Sequence, residues 1–337
     1  MKNRLKKTFE IFFPIALGLV ILAWVYKDTD LENVKDIFLH GMSWKWMTFS
    51  LMWGIAAQVI RGIRWELALK PLGEHPQTGN CIYSIFISYL VNLVIPRIGE
   101  VSRCGILKRY DDVSFGKSLG TVIVERCIDT ACILLITLAA IALQPSVFMM
   151  FFDSTGVDYN NFTEFLGSGT FYVSVISGIA VMLMLYFIFR KLNVFNKIKD
   201  TASNIWSGIK GIRNVDRPAL YIFYTAMIWF CYFMHFYTAM FCFDFSHGLD
   251  WLAGLVMFVA GSIAVVVPTP NGAGPWHFAI ISIMTIYGVS RENAGIFALI
   301  THSTQTFLLV LLGLYGLILL PVANRKRPDK KKEPITN

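Results

Sequence analysis

Apolar residues fill this chain in long blocks separated by short polar breaks. The blocks at 9–26, 44–65, 118–143, 168–190, 219–243 and 293–320 are each long enough, at about 1.5 Å of helical rise per residue, to cross a hydrocarbon core of ~30 Å. Two other blocks end early. Residues 81–95 run into Pro96-Arg97-Ile98-Gly99-Glu100, and residues 249–267 run into Pro268-Thr269-Pro270-Asn271-Gly272-Ala273-Gly274. Proline removes a backbone donor and glycine loosens the chain, so a helix breaks at both places. A short helical stretch follows each break, at 101–110 and 275–288. The pattern predicts an all-α polytopic membrane protein with about six full spans and two re-entrant hairpins. Irregular tips of that kind survive at depth only where protein or a water-filled cavity covers them.

Composition narrows the picture. The chain has 337 residues, 55% of them hydrophobic and 15% charged, against about 25% charged in a soluble domain. The longest polar stretch, 190–218, is too short for a water-soluble domain, so the prediction is one transmembrane domain over 1–337. The basic N-terminus followed by apolar residues resembles a signal peptide. No small-residue cleavage pattern follows, and Trp24 and Tyr26 suit interface anchors, so a retained first span is expected. The six cysteines form no CxxC pair, which leaves metal and disulfide readings without support.

The net charge of +8 suits membrane edges better than nucleic acid. If residues 1–8, 61–80, 108–117, 190–218 and 321–337 are cytoplasmic, they hold 23 of the 30 Lys and Arg. Both termini then face the cytoplasm, 321–337 forms a basic cytoplasmic tail, and the 144–167 loop lies outside. Hairpin one enters from the cytoplasm and hairpin two from the other side.

The same layout recurs within the chain. Unit one, about 81–143, and unit two, about 249–320, each read as helix, Pro-Gly tip, short helix, Val-Ser and a long span with a polar centre. Arg126 lies twelve residues past Ser114, and His302 lies twelve past Ser290. Opposite orientations make this the layout of an inverted repeat, the architecture of many secondary transporters.

The polar positions inside apolar blocks are candidate chemistry. Glu125, Arg126 and Asp129 sit within one span, where an isolated charge costs about 2.5–3.5 kcal/mol. That face must meet a cavity or partner charges, either as the lining of a substrate path or as a structural ion pair. The first tip adds Arg97, Glu100 and Arg103, giving three Arg and three acids whose charges nearly cancel. In a second reading, hairpin one is shallow and these charges are solvated. At the second tip, Asn271, Gly272 and Gly274 precede Pro275, which suits the first turn of a helix whose free N–H groups favour a phosphate or carboxylate. A simple tight turn is the alternative. His277 and His302 belong to this unit, as packing residues or proton carriers. Arg61 and Arg64 end the second span and either snorkel to headgroups or guard a cytoplasmic entrance.

Four segments in order resemble the flippase-like transmembrane domain family, which includes the membrane domain of lysylphosphatidylglycerol synthases. They are Arg61-Gly62-Ile63-Arg64-Trp65, Asn92 to Arg103 with its Pro-x-x-Gly-Glu-x-x-Arg, Val124 to Asp129, and Pro268 to Gly274. The resemblance covers nearly the whole chain. It implies movement of charged phospholipids or lipid-linked intermediates between leaflets. His277 stands where the family has Glu and His302 where it has Arg, so both partners of a family ion pair are changed together. The soluble aminoacyltransferase domain of the synthases is missing from the sequence, so synthesis of the lipid is not expected of it.

The expected function is therefore a lipid flippase or scramblase-like transporter in a cell inner membrane, without catalytic residues, metal or cofactor. Its expected partners are a phospholipid or lipid-linked substrate, with a separate lipid synthase or glycosyltransferase as a further candidate, and no nucleic acid. No Gly-x-x-x-x-Gly-Lys-Ser/Thr motif is present to drive transport with nucleotide. Two other classes fit the same residues. One is an intramembrane enzyme acting on a lipid headgroup with Glu125 or His302 as base, and the other is a non-transporting scaffold for a lipid or glycan synthase.

Overall fold

In the computed structural model of the protein, the described residues are 18–27, 30–95, 97–155 and 215–325, with Ala16 and Trp206 besides. The expected span at 168–190 and the basic tail beyond Arg325 lie outside them. The described residues form helices and turns without strands. Helix α1 covers 18–26. Helix α2, Leu31–Asp36, is capped by Asp30, whose carboxylate accepts from Glu32 N and Asn33 N, and it runs on into a π-turn at Ile37–Gly41. Helix α3 (Trp44–Leu69) leads to the first hairpin, α4 (Thr78–Val94) and α5 (Gly99–Asp111), and then to α6 (Phe115–Leu143). Helix α7 (Pro145–Thr155) precedes the undescribed segment. After it come α8 (Pro218–Met240), the second hairpin of α9 (Trp251–Ala264) and α10 (Pro275–Ile286), and the long α11 (Arg291–Asn324).

Local chemistry explains the boundaries. Pro218 and Pro275 open α8 and α10 at positions where no intrahelical donor is needed. Asp250 accepts from Ala253 N to cap α9, and Ser290 accepts from Asn293 N to cap α11. Helices α6, α8 and α11 are long and apolar enough to cross a bilayer. Helix α3 has 26 residues but carries Arg61, Arg64 and Glu66 in its second half. Helices α4 and α9, with 17 and 14 residues, are apolar but reach only about 25 and 21 Å. Leu134, Leu135 and Leu138 of α6, Ile222 and Phe230 of α8, and Leu314 and Ile318 of α11 face outward as apolar surface. The protein is an all-α, multi-pass membrane protein.

One expectation fails here. The 144–167 stretch does not begin as a loop, because α7 occupies its first residues. Val147 is buried, and Phe148 and Phe151 pack against the core around Met257 and Phe297. Counting charges alone treated an apolar packing helix as a connection.

The packing between the two units is reciprocal. Helix α3, before the first hairpin, lies along α8, before the second. Helix α11 packs on α4, and α6 packs on α9, so each unit's long helix lies on the first hairpin helix of the other. Glycines permit the closest approaches. A Cβ at Gly62 would lie 2.7 Å from Ile82 Cα, and one at Gly316 would lie 3.0 Å from Tyr83 O.

The first tip is fastened in the same manner. Gly99 N donates to Asn92 Oδ1 at 2.7 Å, and a Cβ on Gly99 would collide with the Ser88 carbonyl and the Asn92 side chain. Gly105, two turns along the same helix, has nothing within 4 Å of its Cβ position. Gly99→Ala therefore forces α5 off α4 and should destabilise the protein by about 1–3 kcal/mol. Gly105→Ala should be neutral or stabilising by up to ~1 kcal/mol. Thermal unfolding of the purified variants checks the pair, and equal melting temperatures would contradict this packing.

Candidate functional site

Helices α3, α5 and α6 bring seven charged side chains together. Glu125, on α6, is the hub and is 2% exposed. Its Oε1 lies 2.8 Å from Arg64 Nη2, 3.3 Å from Arg61 Nε and 3.8 Å from Arg126 Nη2. Its Oε2 lies 2.7 Å from Arg103 Nη2. Asp129, one turn on and sharing that face, lies 2.8 Å from Arg61 Nη2, 2.8 Å from Arg126 Nη2 and 3.3 Å from Arg64 Nη2. Glu100 Oε1 lies 3.6 Å from Arg126 Nη1. Four guanidinium groups thus meet three carboxylates, which leaves one positive charge in excess.

Neutral groups complete the shell. Arg61 Nη1 donates to the hydroxyls of Tyr89 and Tyr232, at 2.8 and 3.1 Å, and Arg64 Nη1 donates to Thr225 Oγ1 at 3.0 Å. The Arg103 guanidinium stacks over Trp65, 4.5 Å from the ring centroid. Satisfaction is incomplete. Among the described residues, Arg64 Nε, Arg103 Nη1, Arg126 Nε and Glu100 Oε2 are buried without a hydrogen-bond partner. Arg61, Arg64 and Arg103 are buried, whereas the Arg126 side chain is 40% exposed and forms the open edge of the network.

Several sequence expectations change at this point. Arg61 and Arg64 neither snorkel nor guard an entrance, because both are buried in the network. Two of the 23 cations assigned to the cytoplasm therefore do not contribute a solvent-facing charge. Arg97 is not in the cluster. Its backbone is left-handed (φ 68°), and its exposed guanidinium donates to the Val266 carbonyl at 2.9 Å, beyond the end of α9. The near-zero charge expected of the first cluster becomes +1 through this exchange. Arg97 instead joins the two tips.

The second tip is built from neutral groups. Asn271 and Gly272 adopt positive φ, and so does Gly274, which precedes α10. His277 Nδ1 accepts from Gly274 N at 3.3 Å, so its ring proton is on Nε2. His302 Nε2 donates to the Asn271 carbonyl at 3.0 Å, and Asn271 Nδ2 donates to Thr306 Oγ1 at 2.8 Å. The two imidazole rings are 4.5 Å apart. Helix α1 covers this tip: a Cβ on Gly274 would meet Ile21 Cβ at 2.8 Å, and Tyr26 donates to the Gly295 carbonyl. The expected N-terminal anion site of α10 is thus packed under α1, and the open polar edge belongs to the first unit.

Sequence reasoning missed Tyr89, Tyr232 and Thr225. A tyrosine in an apolar block was the available signal, since a buried hydroxyl needs a partner. Tyr232 also lines a cavity of ≈ 250 Å³ between α8, α9, α10 and α11, together with Trp229, Ser262, Trp276, Thr301 and Gln305.

The chain matches the family model described as the lysylphosphatidylglycerol synthase TM region over residues 11–313. It is similar to UPF0104 membrane protein MJ1595 of Methanocaldococcus jannaschii, 20% identical over 97% of both chains. It is also similar to UPF0104 membrane protein MJ1078 of the same organism, 24% identical over 72% of this chain and 99% of that one. No solved structure matches it.

Because Glu125 balances four buried or half-buried guanidinium groups, Glu125→Gln leaves them with two acids. The expected loss is roughly 3–5 kcal/mol of stability, seen as a fall in melting temperature and yield. Cys127→Ser, at an exposed neighbour, should leave both unchanged. Wild-type stability in the Glu125→Gln protein would show that the hub is not what holds α3, α5 and α6 together.

Proposed function

The chain belongs to the lysylphosphatidylglycerol synthase transmembrane-region family, and from that premise we propose that it is a flippase- or scramblase-like transporter of lipids with a polar or charged headgroup. The observation that carries this reading is the buried network of Arg61, Arg64, Arg103, Glu125 and Asp129, which opens to the surface at Arg126. A purely structural network has no use for a surplus charge and unsatisfied donors, because both are costly in a low-dielectric interior. A headgroup phosphate supplies the missing anion and acceptors, and guanidinium groups suit it well.

Exposed apolar side chains on the elements that carry Arg126 and Glu100 support a lipid rather than a water-soluble substrate. Ile123, on the same face of α6, and Val94, Ile98 and Val101 of the first hairpin are exposed apolar side chains. Acyl tails would stay on such a surface while the headgroup passes Arg126. The reciprocal packing of the two units, and the Arg97 link between their tips, support an inverted repeat with both hairpins re-entering the membrane beside one polar path. Tyr232, shared by the charge network and the cavity, would continue that path between the units. Placement in a cell inner membrane with cytoplasmic termini, a transporting rather than catalytic role, and cooperation with a separate lipid synthase or glycosyltransferase complete the reading.

The test is lipid movement in liposomes holding equal amounts of folded protein, read with a tail-labelled phospholipid and an outer-leaflet quencher. Wild-type protein should move lipid faster than protein-free liposomes. Arg126→Gln should slow it about tenfold or more, the weight of one charged hydrogen bond, with a stability cost of at most ~1 kcal/mol for so exposed a pair. Wild-type protein no faster than empty liposomes would overturn the transport reading.

A further inference from the structure

Glu100 is the poorly held member of the network. Its Oε1 is 3.6 Å from Arg126 Nη1, beyond hydrogen-bond distance, and its Oε2 is buried without a partner. Among the described residues its carboxylate accepts no hydrogen bond, whereas Glu125 and Asp129 each accept from two arginines. Arg126 is equally underused. Its Nη2 meets Asp129, but Nη1 faces only Glu100, and Nε has no partner. The edge formed by Nη1 and Nη2 is the fork that can take two oxygens of one phosphate, with Nη2 shared with Asp129.

A second feature points to the same place. Glu100 occupies the first turn of α5, a helix of 13 residues, where backbone dipoles favour an anion. The carboxylate thus sits beside Arg126 of α6 and belongs to the first turn of α5, and it takes a hydrogen bond from neither.

We propose that Glu100 is a tethered placeholder for a phosphodiester. In the resting protein its carboxylate shields Arg126. When a singly charged phosphodiester arrives, it takes over Arg126 and the first turn of α5, and Glu100 turns to the exposed side of the hairpin. The phosphodiester replaces one negative charge with another, so the exchange leaves the network's net charge as it was. Exposed apolar side chains adjoin the two residues in sequence, Val101 next to Glu100 and Ile123 one turn before Arg126, and they favour a lipid as the source of that group over a free phosphate ester. This inference rests on the headgroup reading of the site but concerns binding, not movement.

The sign of one substitution separates a placeholder from a binding residue. Removing a structural or ligand-binding acid weakens binding, whereas removing a competitor strengthens it. The experiment titrates the full-length protein in nonionic detergent with dioleoylphosphatidylglycerol and reads the bound fraction by native mass spectrometry. Glu100→Gln and Glu100→Ala should both bind this lipid roughly fivefold more tightly than wild type, the size expected for loss of a half-exposed pair. Arg126→Gln should bind it about tenfold or more weakly. Glycerol 3-phosphate at the same concentrations should neither bind nor compete. Unchanged or weaker binding in the folded Glu100 variants would overturn the proposal, and so would competition by glycerol 3-phosphate equal to that of the lipid. If the Glu100→Gln protein does not fold, Glu100→Ala decides by the same criterion. Melting curves taken beforehand show which variants are folded. Failure of lipid movement in liposomes with this binding pattern intact would sink the transport reading alone.

Discussion

One carboxylate organises the first half of this protein. Glu125 is buried among four guanidinium groups drawn from three helices, and each of them would be prohibitive alone in an apolar interior. Helix α3 contributes Arg61 and Arg64, α5 contributes Arg103, and α6 contributes Arg126 beside Glu125 itself. None of these helices can leave without stranding charge. The broken first hairpin is thereby held against two long helices by electrostatics, while Trp65, Ile85, Leu107 and Val122 fill the space beneath. The second half solves the same problem without charge. His277, His302, Asn271 and Thr306 fasten its tip through neutral hydrogen bonds, and α1 closes over it.

This difference assigns unequal roles to halves that pack alike. The two histidines of the neutral tip, with rings 4.5 Å apart, are satisfied within it. The charged half is not, and its surplus appears at Arg126, next to exposed apolar side chains. A polar opening beside a lipid-facing surface is what a headgroup needs when its tails remain in the membrane.

Much of the architecture was legible in the chain, because block length and Pro-Gly breaks report directly on helices. The blocks at 44–65, 118–143, 219–243 and 293–320 correspond to α3, α6, α8 and α11, and the two breaks fall between α4 and α5 and between α9 and α10. The partners of charges were less legible, since pairing is a three-dimensional property. Arg61 and Arg64 lie at the end of an apolar block, which suits an interface as well as a core, and only the approach of α6 decides between them. Arg97 sits three residues from Glu100 yet turns the other way, because its left-handed backbone carries the side chain to Val266. Arg126 likewise approaches Glu100, Glu125 and Asp129 together, a set of partners on two helices that no spacing along the chain shows.

The account's central claim is that the face of α6 at Arg126 borders a hydrated path, while the rest of that helix surface borders lipid. A nitroxide at Thr130, exposed and one turn beyond Arg126, samples the path, and one at Leu138, exposed two turns further on, samples the apolar surface. Electron paramagnetic resonance in nanodiscs, with oxygen and a water-soluble nickel chelate as relaxants, reads both environments. The account predicts strong nickel collisions at position 130 and almost none at 138, where oxygen dominates. Equal, oxygen-dominated relaxation at the two positions would contradict it.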